Sequence, residues 1–166
     1  YMRGCEYVVA KMINYNEFLK FRNHYKISKG QYLNDLDLQP TDRQILYSST
    51  GSGKTTWGLE TNKEKTIFLV PTTALADSNG YKKGVKAYHE KKKKINLKDH
   101  ICSTYSSFPA LIKDIFKLGG NPYEYTLMVD EAHNFVSSAS KEFRLDEMTY
   151  IYNVMNKFKK VIHLSG

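Results

Sequence analysis

The stretch Ser48-Ser49-Thr50-Gly51-Ser52-Gly53-Lys54-Thr55-Thr56 follows directly on the apolar run Ile45-Leu46-Tyr47 and leads into Trp57-Gly58-Leu59-Glu60. A strand, a glycine-rich turn and a helix start, in that order, are what a phosphate-binding loop is built from. Gly51 and Gly53 open backbone conformations closed to residues with a Cβ, so successive N–H groups can converge on phosphate oxygens. Lys54 supplies a point charge for the β- and γ-phosphates, and Thr55 supplies a hydroxyl for Mg²⁺. Ser49, Thr50, Ser52 and Thr56 belong to the same loop and count with it as nucleotide-binding candidates. The common spacing has a glycine five places before Gly53. Ser48 stands there instead, so the loop is a variant whose core, residues 50–55, is intact.

Around that loop the chain alternates between two periodicities. Residues 44–47, 66–70, 101–104, 125–129 and 161–164 are short apolar runs, and 66–70 lacks the polar alternation of a half-exposed strand. Such runs predict strands buried on both faces. Between them, helical spacing predicts a helix from Thr72 onward, one over 108–118 (Leu111, Ile112, Ile115, Phe116) and one over 145–158 (Met148, Ile151, Val154, Met155). Residues 6–25 carry Val9, Met12, Ile13, Phe18 and Phe21 at helix-like intervals, 26–33 suggest a turn or short hairpin, and 34–42 with Pro40 form a loop. Residues 81–94 are lysine-rich, and the four consecutive lysines at 91–94 predict a loop or a frayed helix end. Strands alternating with helices predict an α/β, three-layer domain: a mostly parallel sheet with helices on both faces. In such sheets sites collect at the carboxyl ends of strands, where Ser48, Pro71, Thr104, Asp130 and Ser165 all fall.

A second acidic motif, Asp130-Glu131-Ala132-His133, follows the strand at 125–129. Mg²⁺ on a bound triphosphate needs a carboxylate on its far side, which Asp130 can provide. Glu131 points elsewhere and can orient or deprotonate an attacking water. His133 can contact the γ-phosphate region or a neighbouring loop. Composition adds bounds. The 166 residues suit one domain with a real core; no apolar run approaches a membrane span, and no signal peptide is visible. Cys5 and Cys102 lack any ligand spacing and read as free thiols in a reducing compartment. A net charge of +8 suits a polyanionic partner. The lysines at 82, 83, 86 and 91–94 serve either electrostatic attraction to that partner or solubility. Of the 13 tyrosines, Tyr105 alone is placed by a motif.

Taken in order, residues 50–55, Val70-Pro71-Thr72-Thr73, Thr104-Tyr105-Ser106-Ser107, Asp130-Glu131-Ala132-His133 and Leu164-Ser165-Gly166 resemble the motifs of the first RecA-like domain of a superfamily 2 helicase, of the broad DEAH type. The resemblance spans 44–166, leaving 1–38 as an N-terminal extension before a domain at 39–166. It implies ATP and Mg²⁺ as cofactors, a nucleic-acid partner (DNA rather than RNA), and a cytoplasmic setting, the host's if the source is viral. It also implies a second RecA-like domain in the parent chain, whose arginine finger this stretch lacks, so the stretch by itself would turn over ATP poorly. Carried over by position, Lys54 and Thr55 hold phosphate and Mg²⁺, Asp130 holds Mg²⁺, and Glu131 handles water. Ser165 and His133 would couple hydrolysis to strand movement, while Pro71, Thr72, Thr73, Thr104 and Tyr105 would line the nucleic-acid track. Gln31 has the spacing of the adenine-reading glutamine but no proline or aromatic context, so base specificity stays open. The rival reading is a P-loop ATPase or nucleotide switch without a track.

Overall fold

The computed structural model describes residues 32–36, 38, 39, 42, 44–47, 53–61, 64–130 and 142–165. The helix expected within 6–25 and the turn expected at 26–31 lie outside them. The described chain is an α/β fold around a single six-stranded sheet. The strands are β1 (Gln44–Tyr47), β2 (Thr66–Val70), β3 (Val85–Tyr88), β4 (His100–Thr104), β5 (Thr126–Val129) and β6 (Lys160–Ser165). Their order across the sheet is β1-β6-β5-β2-β4-β3, and every neighbouring pair is parallel.

Parallel strands need crossovers, and here helices supply most of them. Helix α1 runs from Lys54–Thr56 into a wider π-helical turn, Trp57–Thr61. Then come α2 (Thr73–Gly80), α3 (Phe108–Lys117) and α4 (Glu142–Met155). Successive strand side chains face opposite ways, so each buried strand feeds two cores. On one face Phe68, Val70, Cys102, Met128, Ile162 and Leu164 pack with Trp57 and Leu59 of α1 and Ala76 of α2. On the other, Ile67, Leu69, Ile101, Leu127 and Val129 pack with the apolar stripes of α3 and α4. The expected three layers are therefore present. Among the described residues no helix is long and apolar enough to cross a membrane.

Local signals explain the helix limits. The Thr72 hydroxyl caps α2 by accepting from the Leu75 N–H at 3.3 Å. Pro109 sits in the first turn of α3, where its missing N–H costs nothing. One strand has no counterpart in the sequence reading: residues 85–88, within the lysine-rich segment, form β3. Val85 and Tyr88 are buried while Lys86 is exposed, as suits an outermost strand paired only with β4. Four residues between lysines are too few for periodicity to stand out. Tyr88 reaches across to donate its hydroxyl proton to Asp114 on α3.

Candidate functional site

Three strand ends meet where the two strongest motifs fall. Tyr47, the last residue of β1, lies beside Ser165, the last of β6. On the other side of β6, His163 lies beside Val129, the last residue of β5. Asp130 thus sits within one residue of the level of Tyr47, two strand spacings away, or about 10 Å. The strand that separates them carries Ser165 at its tip. Chain positions 47 and 130 are brought together by the crossovers alone.

The described part of the phosphate loop begins at Gly53. Its φ of 88° lies in the left-handed region that favours glycine, and it caps α1. Its carbonyl accepts from the Trp57 N–H at 2.8 Å, closing the first helical turn. Lys54, Thr55 and Thr56 follow, all half-buried. Trp57 is fully buried and donates its indole N–H to the Leu38 carbonyl at 2.8 Å. Gly58 is where α1 meets the sheet: a Cβ there would lie 2.7 Å from Met128 Sδ and 3.0 Å from Phe68 Cε2. The helix that opens with Lys54 is therefore pressed onto β5 and β2, beneath the strand end that carries Asp130. Sequence reasoning passed over Tyr32, which is 57% exposed and whose Cβ would sit 3.5 Å from a Cβ on Gly53.

Asp130 is buried and continues the ladder, its N–H donating to the Leu69 carbonyl at 2.9 Å. Strand alternation puts it on the same face as Met128, the face that α1 covers. Electrostatics agree. Cys102 belongs to the core on that face, and its thiol is pushed up to about 12, chiefly by burial and further by the Asp130 charge. A buried thiol so shifted is inert. Half-buried Thr55 in the first turn of α1 and buried Asp130 at the end of β5 offer hard oxygens of the kind Mg²⁺ takes. Ser49, Thr50, Gly51, Ser52, Glu131 and His133 lie outside the described residues.

The expected nucleic-acid track divides. Pro71 is half-buried and Thr72 and Thr73 are exposed at the carboxyl end of β2. Thr104 and Tyr105 are both buried, so neither side chain lines a surface. The Thr104 hydroxyl accepts from the Ser107 N–H at 3.3 Å, shaping the turn into α3. Tyr105 donates its hydroxyl proton to the main-chain carbonyl of Asp130. Sequence alone missed this because a tyrosine after a strand reads the same whether it turns outward or back into the core. Exposed Ser106, next after Tyr105, is the residue of that turn that faces solvent.

The sequence matches no known family model, and no curated protein matches it.

Proposed function

We propose that this chain is the ATP-binding domain of a nucleic-acid helicase or translocase, a RecA-like domain of superfamily 2 type that couples ATP hydrolysis to movement on or unwinding of a strand. The observation that carries the reading is the convergence at one rim: a left-handed Gly53 opening α1 with Lys54, and a buried Asp130 at the end of β5, two strand spacings from the end of β1. The all-parallel sheet with helices on both faces is compatible with that fold and with other α/β folds.

In this reading Lys54 neutralises the β- and γ-phosphates, and the N–H groups at the start of α1 cradle them. Thr55 and Asp130 would hold Mg²⁺, which when bound offsets charge on the phosphoryl group in transfer. Glu131, next in the chain, orients or deprotonates the attacking water. Ser165 at the tip of β6, with His133, relays the state of the nucleotide. Thr72, Thr73 and Ser106 grip a strand by its backbone, as hydroxyls do without reading bases.

Burial of Thr104 and Tyr105 favours the rival, a nucleotide switch with no track, because it removes two of the five expected contacts. Turnover of the full-length parent protein, measured with and without single-stranded DNA or RNA, decides between them. Stimulation by either supports the helicase reading, and indifference to both supports the switch. Lys54→Ala should abolish ATP binding by calorimetry, since a phosphate site without its cation loses its main charge; unchanged affinity would remove Lys54 from the site. Glu131→Gln in the full-length parent protein should bind ATP and stop turnover, and normal turnover would dismiss Glu131 as the water-handling residue.

A further inference from the structure

The lysine-rich segment, read from sequence as one block, splits in two in the fold. Lys82 and Lys83 precede β3 at its amino end, where Lys82 pairs with Glu60 at 3.7 Å. Lys91, Lys92, Lys93 and Lys94 follow β3 at its carboxyl end. Tyr88 pairs with Ser103, and Val70 with Thr104, so this second group leaves the sheet at the same rim as Thr72, Thr73 and Ser106. From β2 through β4 to β3 is two strand spacings, about 10 Å.

The turn is built rather than loose. His89 and Lys92 exchange backbone hydrogen bonds of 2.9 and 3.0 Å around Glu90 and Lys91. His89 is buried and its Nε2 lies 2.8 Å from Asp77 Oδ1 on α2, while Nδ1 accepts from the Lys91 N–H at 3.2 Å. Lys92 Nζ closes on the same Asp77 oxygen at 2.9 Å. Asp77 is one turn into the helix that Thr72 caps, so the lysine turn and the exposed threonines share one rigid support. With Lys92 spent on Asp77, Lys91, Lys93 and Lys94 remain exposed. Among the described residues no carboxylate pairs with them.

We propose that Lys91, Lys93 and Lys94 bind the phosphate backbone of a single nucleic-acid strand, carrying the track begun at Thr72, Thr73 and Ser106 across the rim to the outermost strand of the sheet. The inference rests on the helicase reading and adds a contact surface to it. Ammonium groups carried on a braced turn beside hydroxyls would hold phosphates irrespective of base, and their contribution would fall with salt.

The test is binding of labelled single-stranded oligonucleotides, DNA and RNA, by the full chain over about 50 to 200 mM salt. A Lys91→Gln, Lys93→Gln, Lys94→Gln variant should lose about 10-fold or more in affinity near 0.1 M salt, and its salt slope should flatten by about 2. A control replacing Lys83, Lys113 and Lys117, which removes the same charge from exposed positions away from this rim, should change both far less. Thermal melting checks that each variant is folded. If wild type binds and the turn variant binds as tightly, or the control loses as much, the lysine assignment falls while the helicase reading stands. If wild type binds neither oligonucleotide, both fall.

Discussion

His163 occupies a central strand with no exposed surface, and neither ring nitrogen has a hydrogen-bond partner among the described residues. A charged imidazole there would lose its water with nothing in return, so burial pushes its pKa down to about 4 from 6.5. Above 6.5 the residue is neutral in the folded and unfolded chain alike and pH has no hold on it. Below that, the unfolded chain takes up a proton that the folded chain refuses, so stability falls as pH drops towards 4, by ~1.4 kcal/mol per pH unit. His163→Leu should remove this acid limb and leave stability near pH 7 unchanged or raised, since it removes two unpaired nitrogens. Denaturant unfolding of both chains at pH 7 and pH 5 measures the difference, and parallel losses on acidification would assign the limb elsewhere. Nothing in the sequence separates this histidine from one at a strand end. Lys54, Thr55 and Asp130 could be singled out in the sequence, by contrast, because a motif fixes their neighbours as well as their identity.

Among the elements, α1 depends most on a single small residue. Gly58 lets the helix descend onto Met128 and Phe68, and a methyl there would meet a sulfur at 2.7 Å and a rigid ring at 3.0 Å. Gly58→Ala should cost about 1–3 kcal/mol despite the better helix propensity of alanine, because overpacking exceeds the propensity gain. Met128→Ala in the same chain should recover part of that loss, so the two substitutions should be less than additive in a double-mutant cycle. Full additivity would mean α1 does not rest where its glycine places it. Strands β1, β2, β4, β5 and β6 were legible because continuous apolar runs bounded by turn residues have few other readings. β3 was not, since its four residues carry one outward lysine and little of the burial that marks its neighbours. The order of strands was not legible either. Local pattern reports which residues are apolar, but not that β6, last in the chain, slots between β1 and β5.

At the scale of the whole molecule the rim has two halves, nucleotide candidates over β1, β6 and β5 and strand-contact candidates over β2, β4 and β3. They join where β5 pairs with β2, and the Asp130 backbone is held there from both directions. Its N–H donates to Leu69 of β2, and its carbonyl accepts from Tyr105 at the tip of β4. A residue expected to touch the strand instead steadies the residue expected to hold Mg²⁺. Tyr105→Phe removes one hydroxyl, keeps the ring that fills the core, and leaves a buried carbonyl short of that partner, at about 1–3 kcal/mol. If Asp130 depends on this tether, half-saturation by Mg²⁺ in nucleotide binding should move to several-fold higher concentration, and any stimulation of turnover by single strands should shrink. Tyr105→Leu, which also loses the ring, should destabilise further without moving the Mg²⁺ midpoint much beyond the phenylalanine variant. A Tyr105→Phe chain that melts lower but keeps its Mg²⁺ midpoint would confine the tyrosine to packing, and the two halves of the rim would then have to communicate through another route.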